Sequence, residues 1–67
     1  MNATDRKRIL ARYVDTYGDQ VRDTVRWARL PAFLERNGCG EDVWSLVEDL
    51  GVRESYPMLD LLLWMGF

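Results

Sequence analysis

Histidine is absent from this 67-residue chain, and cysteine occurs once, at Cys39. The first absence removes the side chain that most often serves as a general base near neutral pH. The second excludes an intramolecular disulfide, and one thiol without histidine cannot build a Cys/His zinc site. Long apolar runs are missing too. The greasiest stretch, YPMLDLLLWMGF at 56–67, contains Asp60 and falls short of the roughly 20 apolar residues a membrane helix needs. The opening MNATDRKRIL has charges but no apolar run behind them, unlike a secretory signal. A lone thiol and no signal give the expectation of a cytoplasmic protein without membrane contact.

The remaining chemistry-bearing residues do not assemble a catalyst. Cys39 lies between Gly38 and Gly40, and packing on Leu34 is the expected role for it. Glu41-Asp42 and Glu48-Asp49 are adjacent pairs whose members project about 100° apart on a helix, so neither pair converges on a substrate. The glycines do not form a phosphate-binding loop. No enzyme, cofactor or metal is expected.

What is present is a dense apolar complement, with three Trp, three Tyr and two Phe. A chain of this length buries only about 60% of the surface its unfolded form exposes. Without disulfide or metal, stability must come from close helix packing, oligomerisation or a partner.

Glycine and proline divide the chain into helical segments. The first is expected from about Thr4 to Tyr17, capped by Asn2 or Thr4. Ile9, Leu10, Tyr13, Val14 and Tyr17 make its apolar face, and Gly18 ends it. A second is expected from Asp19 to Leu30, with Val21, Val25 and Ala28 as a narrow apolar strip. Pro31 kinks it or opens the short piece PAFLERNG. In GEDVWSLVEDLG, residues Val43, Leu46, Val47 and Leu50 share a face that Trp44 extends. Gly51 stops that helix and Val52 is expected to fold back on Val47. The last helix opens at Pro57 and closes at Gly66, with Phe67 packing back on Leu62. No stretch alternates cleanly enough to read as a strand. The expectation is one all-α domain over 1–67, a compact bundle of four to five short helices.

Charge is uneven along the chain. Residues 1–36 hold eight Lys/Arg against five Asp/Glu, or +3, and residues 37–67 hold one against six, or −5. On a helix, Arg22, Arg26 and Arg29 form a basic row at i, i+4 and i+7. A solvated face paired with Asp19 and Asp23 explains the row, and contact with an acidic protein partner is the functional alternative. Nucleic acid is disfavoured by the interleaved acids and the net charge of −2.

The stretch VWSLVEDLGVRESYPMLDLL resembles the helix-turn-helix unit of bacterial and phage repressors, through Leu46, Val47, Leu50, Gly51 and Val52. That family reads bases with polar side chains on its second helix. The corresponding PMLDLLLWM has no Arg, Lys, Asn or Gln, so no DNA-contacting role is carried over.

The last helix has no polar face, because Met58, Leu59, Leu61, Leu62, Leu63, Trp64 and Met65 surround its axis. It is therefore either central in the bundle or at a dimer interface. The expected protein-contact surface is Leu59, Leu63, Trp64, Met65 and Phe67 with Trp27 and Trp44. The function expected from these features is a small, non-enzymatic protein-binding module, homodimeric, acting as a stoichiometric inhibitor or modulator. Antagonists of host proteins encoded by phages or mobile elements fit that description. The alternative is a nucleic-acid-binding regulator that uses the basic N-terminal half.

Overall fold

A computed structural model describes residues 2–67. Helix α1 spans Ala3–Tyr17, strand β1 Thr24–Arg26, helix α2 Leu30–Arg36, helix α3 Val43–Leu50, strand β2 Ser55–Pro57 and helix α4 Met58–Met65. Short 3₁₀ turns at Asp19–Arg22, Trp27–Arg29 and Gly40–Asp42 join them. The expectation of a helical protein holds for most of the chain, but the expected absence of strands does not.

The correction falls on residues 19–29. These do not continue as a helix. They turn once, enter β1 and turn again before α2. β1 pairs antiparallel with β2, placing Val25 opposite Tyr56. The amide of Met58 donates to the Asp23 carbonyl at 2.9 Å, and that of Trp27 to the Glu54 carbonyl at 2.8 Å. Thr24 and Val25 are β-branched, and the residue before Pro57 is biased towards extended backbone. Pro57 pairs with Thr24 in a position whose N–H would point away from the ladder, so the missing donor costs nothing there. It ends the strand and is not the first residue of the helix.

The core has two clusters. The larger joins Val25, Leu30, Leu34, Leu46, Tyr56 and Leu61, and half-buried Cys39 packs against it as expected. The smaller joins Val21, Leu59 and Leu62 under the apolar face of α1, with Ile9, Leu10, Tyr13 and Val14. α4 lies between the two, and its Met58 and Met65 touch both. α4 thus contributes Leu61 to the larger cluster and Leu59 and Leu62 to the smaller.

α1 starts as expected: the Asn2 side chain accepts from the Asp5 amide at 2.8 Å. None of its residues is fully buried, so it acts as a cover held along one stripe. Arg6 ties that cover to α4 by an ion pair with Asp60 at 2.6 Å, which accounts for the one charge in the apolar segment. The Tyr13 hydroxyl donates to the Phe67 carbonyl. α4 closes in a Schellman motif, with Phe67 N–H to Leu62 C=O at 3.0 Å and Gly66 N–H to Leu63 C=O at 3.2 Å. Gly66 is left-handed there, at φ 87° and ψ 17°.

Gly51 ends α3 differently. Its φ of 81° combines with a ψ of 171°, an extended arrangement that only glycine tolerates and that carries the chain away from the helix. The expected fold-back of Val52 on Val47 therefore does not occur, and Val52 is 71% exposed. The helix-turn-helix resemblance ends here as well, because residues 51–57, including β2, separate α3 from α4.

Candidate functional site

Of the seven apolar residues expected at a contact surface, those on α4 are largely used inside the molecule. Leu59 is in the smaller core cluster at 2% exposure. Leu63 is half-buried against the same cluster, and Met65 contacts both. Trp64 is half-buried, and its indole Nε1 donates to Asp49 Oδ2 at 2.7 Å, which fastens α4 to α3. Phe67 is partly exposed, its ring nearly perpendicular to that of Tyr17 at a centroid separation of 6.3 Å.

The two tryptophans from other elements behave differently. Trp44 is 75% exposed and Trp27 38% exposed. The expectation that Trp44 extends the inward face of α3 is corrected. Leu46 is the fully buried residue of that helix, and Trp44, two positions earlier, projects about 160° away from it around the axis. Trp27 and Trp44 line one apolar cleft of about 230 Å³ with Ala28, Leu30, Pro31 and Val43. Trp27 and Ala28 also line a broader depression with Val52, Arg53 and Glu54. Trp27, Trp44 and Val52 therefore flank two adjoining depressions that meet at Trp27 and Ala28.

Buried Tyr56 supports this surface from beneath. Its hydroxyl donates to the Gly51 carbonyl at 2.5 Å and accepts from the Arg53 amide at 3.3 Å. The Arg53 guanidinium lies 5.9 Å from the ring centroid. One side chain thus shapes the segment that carries Val52, and the Trp27–Glu54 backbone bond joins that segment to the Trp27 turn. Val52 gave no local signal in the sequence. Its exposure follows from the conformation of Gly51 and the hydrogen bonds of Tyr56, both tertiary properties.

No protein-family model, curated protein or solved structure matches this chain.

The basic row is also corrected. Arg22 lies in the Asp19–Arg22 turn, 3.8 Å from Asp19, whereas Arg26 ends β1 and Arg29 ends the next turn. They do not share a helix face. Arg26 and Arg29 instead line a groove with Arg36, which the row omitted. The spacing of Arg29, Ala32, Phe33 and Arg36 at i, i+3, i+4 and i+7 is the signal that identifies it. Among the described residues, no cluster of three or more Cys, Asp or Glu converges on a metal position, and no helix is long and apolar enough to cross a membrane.

Proposed function

We propose that this chain is a non-enzymatic protein-binding module that acts stoichiometrically, inhibiting or modulating a partner by covering part of its surface. The observation that carries the reading is Trp44 at 75% exposure beside Trp27 and Val52, around a cleft with almost no polar lining. Keeping a large aromatic ring in water forgoes about 1.5–3 kcal/mol of burial energy. The loss is recovered when a second surface covers it, and tryptophan is the residue most enriched among interface hot spots. The core is closed without these three side chains, so the face is free to bind while the fold stays intact.

The module masks its target through the Trp27–Trp44–Val52 face, with Phe67 outside it. A homodimer formed through the same face is the competing occupancy, since two-fold pairing is the commonest association of soluble chains. Light scattering on wild type and Trp44→Ala, combined with affinity capture from a host lysate, tests the reading. The expected result is a defined partner captured at one-to-one stoichiometry by wild type and lost with Trp44→Ala. A wild-type dimer that becomes monomeric in the variant assigns the face to self-association. Equal capture by wild type and Trp44→Ala overturns the role of this face.

A further inference from the structure

Arg26, Arg29 and Arg36 surround a groove of about 360 Å³ among Val25, Ala32 and Phe33. No Asp or Glu lines it, and among the described residues none of the three arginines has an ion-pair partner. Three arginines on one groove with no acidic residue in its lining raise the local positive potential and select for an anionic ligand. Arginine also favours carboxylates through its planar, two-pronged donor geometry.

Two further features describe the shape of that ligand. β1 has a strand neighbour on one side only, and no residue of β2 lines the groove. The flanking bonds at Asp23–Met58 and Trp27–Glu54 put Val25 in the hydrogen-bonded register, which turns the amide groups of Thr24 and Arg26 to that outer edge. An extended chain laid there finds backbone partners. Beyond Phe33 and Arg36 the surface continues into a cleft of about 250 Å³, large enough for one bulky side chain, where Tyr17, Met58, Leu62 and Phe67 supply apolar lining and Gln20 and Asn37 a polar margin.

The geometry points to a docking groove for an extended acidic segment of a partner protein, carrying one large apolar residue. Its carboxylates pair with Arg26, Arg29 and Arg36, its backbone follows the edge of β1, and its apolar residue enters the cleft past Phe33. A nucleic acid fits less well. The net charge of −2 disfavours a long polyanion, whereas a short peptide engages only the groove. Except for Arg26, the groove shares no lining residue with the clefts at Trp27, and the proposal does not depend on the role of Trp44.

Calorimetric titration at physiological salt tests this with three probes: a blocked glutamate-rich peptide with one central phenylalanine, its glutamine counterpart, and a thymidine oligonucleotide of equal charge. The expected result is binding of the glutamate peptide alone. Its affinity should fall about tenfold or more in the Arg29→Gln, Arg36→Gln double variant and stay unchanged in Trp44→Ala. All three arginines are exposed, so circular dichroism should show the double variant folded. If charge reversal is needed to see the loss, Arg29→Glu, Arg36→Glu supplies it. Failure of wild type to bind the glutamate peptide, equal binding of the glutamine peptide, full affinity in both double variants, or tighter binding of the oligonucleotide would each overturn the proposal.

Discussion

Leu59, Leu61 and Leu62 of α4 sit at the centre of the molecule, whereas Trp44 and Val52 stand almost free in solvent. Both groups are apolar, so hydrophobicity alone does not separate them. Density does. The leucines belong to a run that surrounds its own helix axis, and such a helix must be covered on every side to remain in water. Trp44 stands on a helix whose Leu46 already serves the core, and Val52 lies on the exposed segment that follows it. A concentrated apolar run therefore marks the centre of this chain, and solitary large side chains mark its face.

Substitutions on each side of this contrast should act on different properties. The largest expected effect is on stability. Leu61→Ala removes a fully buried side chain between α4 and the larger cluster and should cost about 2–5 kcal/mol. Chemical denaturation should show a lower midpoint, which for a chain this small approaches loss of the fold. Trp44→Ala should do the opposite, shifting stability by about 0.5 kcal/mol or less while weakening partner binding by about 2 kcal/mol or more. A large loss of stability in Trp44→Ala would erase the distinction between centre and face.

Tyr56→Phe probes the connection between the two regions, because it keeps the buried ring and removes the hydroxyl bonds to Gly51 and Arg53. The expected cost is about 1–2 kcal/mol, with faster hydrogen exchange at Arg53. Asp60→Asn should have the smallest effect, about 0.5–1 kcal/mol, since its ion pair with Arg6 is partly exposed. Its stability difference from wild type should shrink further as salt is raised.

Much of the fold was legible because its signals are local. The Asn2 cap, the stripe of Ile9, Leu10, Tyr13 and Val14, and the Gly66-Phe67 closure each lie within a few residues of one another, and each is realised. The segment at 19–29 was not legible, for a physical reason. Val21, Val25 and Ala28 satisfy helical spacing, but Val25 pairs with Tyr56, far along the chain, and three-residue strands are too short to display alternation. Once that segment left the helix, the row of Arg22, Arg26 and Arg29 dissolved, and Arg36 took the place of Arg22. The exposed face was legible only as a set of aromatic residues. Which tryptophan would be tethered inside depended on Asp49 lying opposite Trp64, which spacing along one helix does not reveal.

The ties between α1 and α4 also set an order of events. Arg6–Asp60 and Tyr13–Phe67 each span 54 positions, further along the chain than any other side-chain hydrogen bond among the described residues. Closing so long a loop is entropically unfavourable until the intervening chain is already compact. During synthesis, α1 emerges before α4 and must wait for the surface it will cover. It should be the last element to gain hydrogen-exchange protection in pulse-labelled refolding, after the larger cluster has condensed around Tyr56.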